Sequence, residues 1–82
     1  MQKELINGPF KSAYAKIKKL KGTEKEKAYI ALNERMDMYS VAKDFSLFYP
    51  KIYTKDALNA IVNAKNNIEA ENILVRLRRA IV

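Results

Sequence analysis

Starting at Phe10, apolar residues return at three- and four-residue steps through Ala13, Tyr14, Ile17 and Leu20, while Lys11, Lys16, Lys18, Lys19 and Lys21 occupy the remaining positions. That period is the mark of a helix with one buried stripe. Gly8-Pro9 predicts its start, because proline fits the first helical position, where its missing N–H would have no partner anyway. Gly22 predicts a left-handed close, so the first helix is expected over residues 9–21. Thr23-Glu24-Lys25-Glu26 has the spacing of a capping box, in which the threonine hydroxyl and the glutamate each satisfy a free amide. A second helix is predicted from there over residues 24–46. Tyr29, Leu32, Met36 and Tyr39 form one stripe on it, and Met38, Val41, Phe45 and Phe48 form a neighbouring one. Pro50 disfavours helical geometry at Tyr49 and closes it, leaving Phe45 to Pro50 as a fraying end and connector.

Thr54, with Asp56 in the first turn, restarts a helix over residues 55–65 whose stripe is Ala57, Ile61, Ala64 and Ile68. The later set Ala70, Ile73, Leu74, Leu77 and Ile81 would fall about 180° away on an unbroken helix. A break near Asn66 resolves the conflict, since asparagine suits both ends of a helix, and a fourth helix then covers residues 67–81. One long helix meeting different partners on opposite faces is the alternative. The expected fold is all-α: a single domain over residues 1–82, built as a small bundle of three or four helices with short connections.

Size and composition narrow the function. A chain of 82 residues has little interior, and at 49% apolar content it holds more apolar surface than two stripes of one helix can hide in a small bundle. With no cysteine and no histidine there are no thiolates, no disulfides, no usual zinc set and no imidazole base. The two glycines, Gly8 and Gly22, form no phosphate-cradling loop. Glu24, Glu26, Glu34, Asp37 and Asp44 lie among lysines and arginines, and Asp37 and Arg35 read as surface charges with partners one turn away. No catalytic, metal or cofactor site is expected, so the chain reads as a non-enzyme that binds a macromolecule. The longest apolar run, Ala28 to Leu32, is far too short to span a bilayer, and nothing near Met1 resembles a signal peptide, which makes a cytoplasmic location the default expectation.

The net charge of +7 is divided unevenly: +5 over residues 1–27, −1 over residues 28–75 and +3 over residues 76–82. Lys16, Lys18, Lys19 and Lys21, with Arg76, Arg78 and Arg79, form the candidate basic surface. It could follow nucleic-acid phosphates, although the arginines also suit the last turn of a helix for dipole reasons alone, and Glu69 and Glu71 occupy the start where a recognition helix reads bases. The first helix is also basic and amphipathic, as membrane-surface helices are. Met38, Val41, Phe45 and Phe48 form the candidate partner interface. Their expected partner is a protein, either a second copy of the chain or another helix, with nucleic acid as the alternative.

The segment from Glu26 to Tyr39, carrying Ala28, Tyr29, Ile30, Met38 and Tyr39, is similar to the second helix of the N-terminal dimerisation domain of endosomal deubiquitinases of the ubiquitin-specific protease and AMSH type, an MIT-like helical module. Lys11-Ser12-Ala13-Tyr14 resembles that family's first helix, and Lys55-Asp56-Ala57-Leu58 the start of a later one. Ala31-Leu32 and Glu34-Arg35 depart from the family's pattern, as does the connector after the second helix. The resemblance implies a non-catalytic module of endosomal sorting that pairs with itself or docks helical tails.

Overall fold

The computed structural model describes residues 6–81, and four helices lie wholly within them: α1 Lys11–Lys18, α2 Gly22–Phe48, α3 Lys55–Val62 and α4 Asn67–Arg79. The fold is a small all-α bundle. At 1.5 Å per residue α2 is about 40 Å long, close to the 45 Å long axis of the molecule. It is the spine on which the three shorter helices pack.

The helix ends show which local signals act. Pro9 lies in the turn before α1, and Phe10, at φ −105° and ψ 14°, is outside helical geometry, so the helix starts two residues later than proline alone predicts. The far end of α1 tightens, with Lys19 N–H donating to Lys16 O and Leu20 N–H to Ile17 O. Gly22 takes φ +64°, a left-handed conformation that other residues reach only at a cost of about 1–2 kcal/mol. The capping box at Thr23 does not form. Lys21 is the residue before α2 and no side chain caps it, because Gly22 already begins the helix and carries Thr23 into its first turn. The reciprocal cap occurs instead at the head of α4. There Asn66 Oδ1 accepts from Glu69 N–H at 2.9 Å, and Glu69 Oε2 accepts from Lys65 N–H at 3.2 Å. Thr54 Oγ1 caps α3 by accepting from Ala57 N–H at 3.2 Å.

α2 continues two residues past the expected fraying point, and Tyr49 leaves the helix at φ −130° ahead of Pro50. Its amide still donates to Phe45 O, and Tyr53 N–H then donates to Tyr49 O, winding the connector into a tight turn. α3 ends at Val62, three residues short of the expected 65. Because the chain breaks between Val62 and Asn67, Ile68 does not prolong the stripe of Ile61 and instead stands 73% exposed.

Two apolar clusters divide the interior. Phe10 and Ile17 meet Leu32 and Met36 in the first, with Tyr14 and Tyr29 against its edge. Ala42, Tyr53, Ile61 and Ala70 form the second, surrounded by Met38, Phe45, Leu58, Ile73, Leu74 and Leu77. Tyr39 touches both, and its ring meets that of Phe10 edge-on at 5.6 Å. The pairs Phe10–Tyr39 and Tyr14–Tyr29 set α1 antiparallel to α2 along the first half of the spine. α3 folds back along the second half, and α4 climbs parallel to α2 from Ala31, where the Asn67 side chain is anchored.

Candidate interaction surface

Met38, Val41, Phe45 and Phe48 share a helix but not a face. Rotation by 100° per residue sets Val41 and Phe48 about 20° apart and Met38 and Phe45 about 20° apart, with roughly 60° between the pairs. The margin of the second core cluster falls between them. Phe45 turns inward and meets the Tyr53 ring edge-on at 5.5 Å, and Met38 is half-buried in the same cluster. Val41 is 46% and Phe48 77% exposed. The expected four-residue docking stripe is therefore two residues wide; Leu47, also exposed, lies about 100° from Phe48, and exposed Tyr49 is already outside the helix.

Beside this stripe, α2 and α4 enclose a groove of about 380 Å³. Met38, Leu74 and Val75 supply its apolar surface, and Glu34, Asp37 and Glu71 line it together with Arg78. Three carboxylates against one guanidinium make this groove acidic on a chain whose net charge is +7. Periodicity alone could not reveal it, because it depends on the parallel course of α4 beside α2.

The basic residues do not merge into one field. Lys16, Lys18, Lys19 and Lys21 are all exposed around the end of α1 and the turn into α2, with Lys18 Nζ lying 4.8 Å over the Tyr14 ring. Arg76, Arg78 and Arg79 are exposed in the last turn of α4. α4 begins beside Ala31 and rises about 20 Å along α2, so the arginines stand well away from the lysines, and Glu34 and Glu71 lie between the two sets. A separation of this size exceeds the screening length of about 8 Å at physiological salt.

Two residues of structural consequence carried no such reading in the sequence. Arg35, expected as a surface charge, reaches across to the break between α3 and α4. Its Nη1 donates to Ile61 O at 3.1 Å, Val62 O at 3.2 Å and Ala64 O at 3.0 Å, and its Nε donates to Asn67 Oδ1 at 2.8 Å. Asn67 Nδ2 in turn donates to Ala31 O at 2.9 Å and Glu34 Oε2 at 3.2 Å. Burial lowers the Arg35 pKa from its ordinary value, and Glu69 acts in the opposite direction. The signal was there to read: Ala28, Arg35 and Ala42 recur every seven residues within the apolar stripe, so a single cation stood among residues that face inward. Tyr53 is the other. Its side chain is buried and its hydroxyl has no hydrogen-bond partner. Burial raises its pKa above 10.0, against the smaller lowering effect of Arg78.

Among the described residues no three histidine, cysteine, aspartate or glutamate side chains converge as metal ligands, and no helix is long and apolar enough to cross a membrane. Comparison with family models, with curated proteins and with solved structures finds no match to the chain.

Proposed function

We propose that this chain is a non-catalytic protein-interaction module that docks an amphipathic helix along the α2–α4 groove. The observation that carries this reading is the exposure of Val41, one turn past Met38, beside a groove floored by Met38, Leu74 and Val75 and lined by Glu34 and Glu71, with Phe48 exposed two turns further along α2. An apolar surface with acidic walls favours a helix that presents lysine or arginine beside its apolar stripe, since opposite charges speed encounter and fix orientation. The basic first helix of a second copy meets this need poorly. Its exposed positions are Lys11, Ser12, Ala15, Lys16 and Lys18, with no large apolar side chain among them. A different protein is thus the favoured partner, with self-association the narrower version of the same reading. The endosomal setting rests on the family resemblance alone.

Titration calorimetry with a synthetic amphipathic leucine–lysine helix, alongside sedimentation of the chain by itself, tests the proposal. Binding is expected to weaken at least tenfold for Phe48→Ser or Glu71→Lys and to fall with added salt. A chain that stays monomeric at high micromolar concentration and ignores the peptide would refute it. The second reading, a small nucleic-acid-binding protein, draws on the exposed Arg76, Arg78 and Arg79. Its test is anisotropy with labelled duplex and single-stranded DNA at low salt, where absence of binding ends it.

A further inference from the structure

Over the first half of the spine, α1 faces α2, and beside the large side chains of Phe10, Ile17 and Leu32 stand three alanines. Ala13 of α1 and Ala28 and Ala31 of α2 leave a hollow of about 330 Å³ that Leu32 also lines. Val62 at the end of α3 and Asn67 at the head of α4 reach its far side without filling it. Small-molecule sites are typically of this size and mostly apolar, with a few convergent polar groups that orient the ligand.

The charged residues lining this hollow are Lys16 and Arg35, both cations. The bonds of Arg35 use Nε and Nη1, and every acceptor is neutral: three backbone carbonyls and the Asn67 amide oxygen. Guanidinium has five N–H donors, two of them on Nη2, so Arg35, which lines the hollow, keeps donors beyond these bonds. The end of α3 supplies about half a negative charge by its dipole and the Glu69 carboxylate also acts on Arg35; together they offset part of the guanidinium charge, while Lys16 adds a second cation to the lining. A partly buried cation among apolar walls favours an anion, and the apolar lining favours a hydrocarbon tail behind it.

We propose that the α1–α2 hollow binds a free amphiphilic carboxylate, with an alkyl or aryl tail against Ala13, Ala28, Ala31 and Leu32 and its carboxylate held by Lys16 and Arg35. This function is separate from the α2–α4 groove and does not depend on it. The carboxylate would accept from Arg35 Nη2, a charge-assisted contact roughly twice as strong as one between neutral groups.

The test uses monomeric decanoate, with decanol and decyltrimethylammonium as probes of equal tail and different head, followed by amide and methyl NMR shifts of the full chain. Decanoate is expected to shift the signals of Ala13, Ala28 and Ala31 and to bind at least tenfold more tightly than decanol, with the cation not binding. Lys16→Glu, at an exposed position, is expected to weaken decanoate several-fold without loss of helix content. Ala31→Leu fills the hollow from an exposed helical position with a good helix former and is expected to abolish the shifts. Substituting Arg35 would confuse binding with folding, which is why these two variants are used. Equal affinity for decanol, shifts that survive Ala31→Leu, or a response only to anionic lipid vesicles would each overturn the proposal.

Discussion

Arg35→Met removes the guanidinium while keeping an unbranched stem and good helix propensity, and its cost can be worked from the bonds it breaks. Nη1 has two hydrogens and three carbonyl acceptors, Ile61 O, Val62 O and Ala64 O, so those contacts count as about two bonds rather than three, and Nε to Asn67 Oδ1 adds another. Hydrogen bonds to a charged group contribute about 1.5–3 kcal/mol each. Arg35 is only half-buried, so water reaches some of the vacated acceptors and the sum must be reduced. A net loss of about 2–4 kcal/mol remains. Against a total of roughly 4–12 kcal/mol for a domain this small, that is a large fraction of the stability. Urea unfolding followed by far-UV circular dichroism reads it directly. Arg35→Lys keeps a charge but not the planar fork and should recover less than half of the loss. In a double-mutant cycle, Asn67→Ala should couple to Arg35→Met by at least about 0.5 kcal/mol. A loss below about 0.5 kcal/mol for Arg35→Met, with additive cycles, would show that the guanidinium is only a surface charge after all.

Tyr53→Phe removes a buried hydroxyl that has no partner and should raise stability by about 1 kcal/mol; a lower urea midpoint would count against the observed burial. The raised folded pKa of Tyr53 means its contribution is complete below the ordinary tyrosine value of 10.0 and is lost as pH rises through the folded pKa. The alkaline decline in stability should therefore be shallower in Tyr53→Phe, as titration of thermal midpoints above pH 10.0 would reveal. Asn66→Ala should cost about 1 kcal/mol through loss of the α4 cap, whereas Thr23→Ala should change stability by less than about 0.5 kcal/mol because no cap bond is made there. The reverse order would restore the capping box. Gly22→Ala should destabilise by about 1–2 kcal/mol from the positive φ alone, since nothing lies within 4 Å of the added Cβ; a neutral result in thermal unfolding would contradict the left-handed turn.

Much of the architecture was legible because it is encoded at short range. Apolar steps of three and four residues located the helices, Thr54 marked the head of α3, and the mismatch between the Ile61 and Ala70 stripes demanded the break that Asn66 caps. The misreadings have two physical sources. At Thr23 the motif was present, but the helix starts two residues early, at the left-handed Gly22, and leaves the hydroxyl without a capping position. At Arg35, Tyr53 and the split between Val41 and Phe45, the outcome depends on contacts between residues far apart in the chain: Arg35 binds groups 26 to 32 positions away. Periodicity identifies which residues share a side of a helix, but it cannot show where a neighbouring helix stops covering that side. The acidic groove was hidden for the same reason, because Glu34 and Glu71 come together only once α4 is laid beside α2.

The division of the interior into two clusters along one spine has a kinetic consequence. α1 packs chiefly on α2, with Tyr39 as the hinge point between the clusters, while α3 and α4 brace each other as well as the spine. α1 can therefore open as a cooperative unit of its own while α2, α3 and α4 stay closed. Its amide protons should trade with deuterium at a lower opening free energy than those of Ile61 or Ala70, so brief excursions would unlatch one end of the molecule and leave the rest intact.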